Sequence, residues 1–163
     1  MTHRFRIIAL LALFFVAGNS FAQTVNVETL PFSLRNVSYD KSYSNVLTSF
    51  YKLFSNAENV SWYNVEKNFG AKFTMNNLRY RVLFNKKGNL VYKIIYGTEK
   101  HLPVAIRKAV KREYVEFRIT AASLVEEANR SIWVIHLEDD WEYVIVRVEH
   151  SEINENAKYK KQN

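Results

Sequence analysis

Apolar positions change their spacing three times along the chain, and each change marks a different element. Ile7 to Ala17 form an unbroken apolar run. From Asp40 the spacing becomes three and four, with Val46, Phe50, Leu53 and Phe54 on one face of a helix that Asp40 or Ser42 caps and that ends near Asn56. Alternation then takes over, and three tight turns set its register. Lys67-Asn68 and Asn76-Asn77 suit two-residue hairpin loops, and Lys86-Lys87-Gly88 suits a three-residue loop with glycine in the left-handed position. Counting back from these turns aligns Trp62, Phe73, Tyr80 and Ile94 on one face of four strands, with Val60, Met75, Leu78 and Tyr96 in the next row.

A second unit repeats the scheme. Pro103 opens a helix where its missing N–H costs little, and Ile106, Ala109, Val110 and Tyr114 supply the buried stripe. Strands are expected at about 115–127, 131–138 and 141–149, with turns at Asn129-Arg130 and Asp139-Asp140. Those turns align Leu124, Ile135 and Val144, set Leu137 beside Glu142, and place His136 opposite Tyr143. The expected fold class is α+β: tandem helix-plus-antiparallel-meander units, about 40–98 and 99–150, sharing a curved antiparallel sheet with helices on one face. Residues 151–163 lack apolar periodicity and are expected to be a disordered tail.

The N-terminus sets the compartment. Arg4 and Arg6 precede the 7–17 apolar run, and Ser20-Phe21-Ala22 places small residues at −3 and −1 of a cut, so residues 1–22 are expected to be a cleaved signal peptide. The run is well short of the roughly 20 residues needed to cross a bilayer, and no later stretch reaches that length. The expected product is periplasmic or secreted, and residues 23–39 form an extended leader before the domain. Removing Arg4 and Arg6 takes the formal charge from +7 to +5, a mild preference for anionic partners. The chain has no cysteine, which excludes disulfides, thiolate catalysis and cysteine zinc sites, so packing alone holds the fold.

From Phe54 to Val148 the chain resembles the PepSY-like, β-lactamase-inhibitor-like domains of exported bacterial proteins. The matching residues are Phe54, Ala57, Val60 and Trp62, then Ala71 and Phe73, Gly88, Leu102-Pro103, and Tyr114 with Ile119. The resemblance implies an inhibitor-like or peptidase-modulating protein that binds other proteins and catalyses nothing itself. The chain departs from the pattern at Asp139-Asp140-Trp141, where a more glycine-rich turn is expected.

Residue chemistry agrees with a binding role. His101, His136 and His150 share no metal-ligand spacing, so no metal or cofactor is expected. Neither a phosphate-cradling glycine loop nor a nucleophile elbow occurs. Glu138, Asp139, Asp140 and Glu142 form an acidic cluster best explained as a turn. Arg107, Lys108, Lys111 and Arg112 on the second helix suit an ordinary solvated face.

The informative surface is the sheet face turned away from Trp62. Turn counting places Tyr63, Lys72, Arg81 and Lys93 in one row of it, with Ser61, Thr74, Arg79 and Ile95 in the next and Leu83 and Val91 beside them. Cations abreast repel by a few tenths of a kcal/mol per pair, which a solvent screen or an anionic partner relieves. Tyr63, Lys72, Arg79, Arg81 and Lys93 are therefore the candidate partner-binding residues, for an acidic protein or other polyanion of the cell envelope rather than nucleic acid. Two alternatives compete with this. The leader, through Glu28, Leu30 and Phe32, folds over the face, or the protein carries a small anionic or amphipathic ligand between sheet and helices.

Overall fold

A computed structural model describes residues 41–162. The expected signal peptide and leader lie outside the described residues. The architecture is α+β: helix α1 (Lys41–Leu53) and strands β1 (Glu58–Val65), β2 (Asn68–Met75), β3 (Leu78–Phe84) and β4 (Leu90–Gly97) form the first unit. A short 3₁₀ turn (Glu99–His101), helix α2 (Val104–Glu113) and strands β5 (Arg118–Glu127), β6 (Arg130–Glu138), β7 (Glu142–Glu149) and β8 (Glu152–Lys160) form the second. All eight strands pair antiparallel in chain order within one sheet. Bulges in β1, at the β3–β4 turn, in β5 and in β7–β8 interrupt the ladders and bend the strands.

Both helices cover the same face. Directly paired residues share a face, and one continuous row runs Tyr80, Ile95, Leu124, Trp133 and Val148 from β3 to β7. Under α1 the core is aromatic: Phe50, fully buried, meets Trp62 at 4.9 Å and Phe73 at 5.1 Å, both edge-on. Under α2 it is aliphatic, built from Leu102, Val110, Ile135, Leu137, Val144 and Val146. Each fully buried side chain of this size contributes about 1.5–3 kcal/mol of transfer free energy.

The helix stripe is wider than expected. Tyr43 and Leu47 join Val46 and Phe50 in the core, whereas Leu53 is 53 % exposed. At 100° per residue Leu53 sits about 60° from Phe50, on the side away from Leu47, and in the helix's last position it clears the sheet. In α2, Val110 is buried and Ile106 and Tyr114 pack against the core.

Three of the expected turns are displaced by a step that leaves the faces unchanged. The first hairpin closes at Glu66-Lys67, with Glu66 at φ 52°, so Trp62 pairs with Ala71 instead of Phe73. Ala71 is fully buried in the same aromatic cluster as Phe50 and Trp62. The β5–β6 turn is Ala128-Asn129, and β6–β7 is joined by a wider loop in which the Asp139 carboxylate accepts the Trp141 and Glu142 amides at 2.8 and 2.6 Å. Ile135 consequently pairs with Ala122 and Val146, Leu137 with Val144, and His136 with Ile145 rather than Tyr143. Asn76-Asn77 closes β2–β3 as expected, both residues at positive φ, the conformation a type I′ turn demands.

Two expectations are overturned. Residues 152–160 are not a disordered tail but strand β8, paired along β7 after a His150-Ser151 turn. Its sequence, EINENAKYK, is too polar to announce a strand. Pairing with β7, Ile153 against the second core and a Lys158–Glu142 ion pair at 2.6 Å hold it in place. The charges suit an edge strand, where they discourage further pairing.

The second correction moves Lys93. The 86–88 loop forms, with Gly88 at φ 83° and Asn85 bonded to Asn89. Phe84 then pairs with Leu90, but Leu83 pairs with Tyr92, leaving Val91 as the extra residue of a bulge. That one-residue shift turns β4 over. Lys93 pairs with Val82 on the helix-covered face and bonds Glu126 at 2.5 Å, while Ile94 and Tyr96 turn to the open face and Ile95 to the core.

Candidate functional site

The open face of the sheet is built by alternation alone. Its rows are Ser61, Lys72, Arg81, Ile94 and Val125, and beside them Thr74, Arg79, Tyr96 and Ser123, with exposed Glu58 paired to Thr74 at the β1 edge beyond the bulge. Of the five expected partner-binding residues, the structure brings Tyr63, Lys72, Arg79 and Arg81 together and places Lys93 on the other side of the sheet. Lys72, Arg79, Arg81, Asn59, Ser61, Thr74 and Tyr96 line an open groove of about 440 Å³ on this face.

Aromatic rings hold the cations. The Lys72 ammonium lies 5.5 Å from the centre of the Tyr63 ring, and the Arg79 guanidinium 5.6 Å from that of Tyr96, contacts worth about 0.5–1 kcal/mol at exposed sites. Tyr63 reaches this position because residue 70 is glycine: a Cβ there would come within 2.3 Å of the Tyr63 ring. Burial, followed by neighbouring Tyr92, holds the Tyr63 phenol above its usual 10.0, so it stays neutral beside the cations. The Nε of Arg81 is buried with no hydrogen-bond acceptor.

Carboxylates are missing from this groove and present beyond it. None lines it, and Lys72, Arg79 and Arg81 enter no ion pair among the described residues. Further along the same face Arg118 bonds Glu138 at 3.4 Å, and Arg130, at 2.8 Å, and Arg147 together clasp Glu149. Between these regions the face is apolar, with Ile94, Tyr96, Val125, Ile132, Val134 and Ile145 half-buried. The cluster Glu138, Asp139 and Glu142 is committed to its own turn: Lys161 bonds Glu138 at 2.6 Å, backbone amides bond Asp139, and Lys158 bonds Glu142.

The Glu149 clasp titrates. Hydrogen bonds from Arg130 and then Arg147 lower its carboxyl from 4.5 to about 2. Because the folded value is the depressed one, the contribution to stability is present above pH 4.5 and lost as pH falls toward 2. The urea midpoint of wild type is expected to exceed that of Glu149→Gln at pH 6, with the gap narrowing steadily below pH 4.5 as the pH approaches 2. An unchanged gap would show that the clasp is not the cause.

No family model and no curated protein matches the chain. Among solved structures it is similar to a DUF2874 family protein from Bacteroides ovatus, with 21% identity and a TM-score of 0.61 over 74% of this chain and 89% of that one. A BLIP-like, that is β-lactamase-inhibitor-like, protein from Bacteroides fragilis gives 16% and 0.60 over 74% and 86%. A protein from Bacteroides eggerthii, provisionally described as periplasmic, gives 18% and 0.60 over 71% and 86%. These likenesses show the fold, which is β-lactamase-inhibitor-like. None of the three is described as an enzyme, and no helix among the described residues is long and apolar enough to cross a membrane.

Proposed function

We propose that this β-lactamase-inhibitor-like domain is an exported, non-enzymatic binding protein of the periplasm or cell exterior. It is inhibitor-like or peptidase-modulating, and its open sheet face receives an acidic protein of the cell envelope. The observation that carries this reading is the groove itself. Among the described residues three cations stand together with no carboxylate lining their groove, two of them braced on tyrosine rings, beside an apolar strip. Cations left unpaired while others on the same face are matched are poised for an external anion, and bracing lowers the entropy lost when one arrives. The apolar strip supplies the desolvated contact that most affinity comes from.

The neighbours' inhibitor-like and periplasmic descriptions support this role and this compartment, and the PepSY-like resemblance of Phe54, Trp62 and Gly88 supports the peptidase-modulating form of it. The ligand-carrier alternative called for an enclosed space between sheet and helices. The groove instead lies on the face that neither helix covers and, among the described residues, is open, which suits a macromolecule better than a small ligand held inside.

Side-chain oxidation footprinting on the complex with an envelope partner tests the assignment. Tyr92 and Tyr96 on the open face are expected to become protected, while Tyr51 on the outside of α1, 44 % exposed, keeps its free rate. Protection of Tyr51 with unchanged Tyr92 and Tyr96 would place the contact on the helices and overturn it.

A further inference from the structure

We infer that the groove reads an extended acidic segment whose carboxylates recur at every second residue. This rests on the binding role proposed for the open face and adds the form of what is bound. Arg79 and Arg81 stand two apart on β3 and on the same face, so their side chains emerge about 6.6–6.8 Å apart along the strand. An extended peptide lying along β3 repeats its own same-side side chains at that interval, since alternate residues point to opposite sides. Glu-x-Glu therefore presents one carboxylate to each arginine. Residues one or three apart point one carboxylate away from the sheet.

The neighbouring strand sharpens the selection. Lys72 pairs directly with Arg81 and Thr74 with Arg79, and directly opposed side chains in such a ladder lie about 4.5–5.5 Å apart at Cβ. One carboxylate is then held between Lys72 and Arg81. The next meets Arg79, with the Tyr96 ring behind that guanidinium. Asn59, whose side-chain amide bonds the Thr74 hydroxyl at 3.2 Å, closes the groove on the β1 side. Guanidinium planes suit carboxylates because they offer paired N–H donors.

The test uses three synthetic peptides of equal length and composition, each with two glutamates in a serine-glycine background, spaced one, two or three residues apart. They are titrated onto the mature full chain at low salt by calorimetry or NMR. The two-apart peptide is expected to bind at least about fivefold more tightly than the other two, and Arg79→Gln is expected to abolish that preference. Equal binding of all three, lost in Arg79→Gln/Arg81→Gln, would overturn the spacing rule and leave the anion-binding groove standing. Binding of none would overturn the groove as well. Tighter binding of a single-stranded hexathymidylate than of the two-apart peptide would show that phosphates, not peptide carboxylates, are what the groove accepts.

Discussion

Phe50→Ala is expected to destabilise the domain by about 3–5 kcal/mol, the range for removing a large aromatic from a packed core. Phe50 has no exposed surface and its ring touches those of Phe54, Trp62, Phe73 and Phe84. Four core rings surround it, so deletion opens a cavity that these rigid neighbours close poorly. With no disulfide to limit the unfolded chain, nothing covalent offsets the loss. Domains of this size have about 5–15 kcal/mol in total, and the variant should unfold at far lower urea. Leu53→Ala, at the exposed end of the same helix, should change stability by less than about 1 kcal/mol. Urea unfolding that gives Phe50→Ala under about 1 kcal/mol would show that α1 does not seat on β1–β3 through this residue.

Sequence pattern conveyed the architecture more faithfully than the register, for identifiable reasons. Turn residues are visible as Asn-Asn or Lys-Lys-Gly, and an error of one position in placing a two-residue turn shifts the partner by two and leaves every side chain on its own face. Trp62 therefore appeared on the correct face while its partner, Ala71, did not appear. Bulges have no such signature. Val91 looks like any strand valine, yet as the extra residue it turns β4 over, removes Lys93 from the open face and brings Tyr96 to it. The bracing of Arg79 by Tyr96 was hidden for that reason. Gly70 carried a signal that composition could not interpret: a glycine inside a strand marks a close approach, here of the Tyr63 ring. Strand β8 was illegible because its stability comes from β7 and the second core, not from its own alternation of Ile153, Ala157 and Tyr159 among charged residues.

The cations of the groove were legible where the turns fixed them. Lys72, Arg79 and Arg81 lie on β2 and β3, joined by the Asn76-Asn77 turn that formed as counted. What the sequence could not supply is the absence, among the described residues, of a carboxylate lining their groove, since the bulge at Val91 decides which face each residue of β4 and of its partner strand takes: Glu126, paired with Lys93, lies on the helix-covered face.

Charge reversal on the two faces tests the central claim most directly. Arg79→Glu/Arg81→Glu and Arg107→Glu/Lys108→Glu, the latter pair on α2, change the net charge by the same amount, so any effect of overall charge is common to both. Affinity for the envelope partner, measured by surface plasmon resonance at two salt concentrations, is expected to fall more than tenfold for the groove pair, and its salt dependence to weaken, as steering by these cations is lost. The helix pair should stay within about twofold of wild type. Both variants should stay folded with urea midpoints close to wild type, because Arg79 and Lys108 are exposed and Arg81 and Arg107, though half-buried, belong to neither core cluster. Equal losses from the two pairs, or full binding by a folded Arg79→Glu/Arg81→Glu variant, would contradict a binding site on the open sheet face.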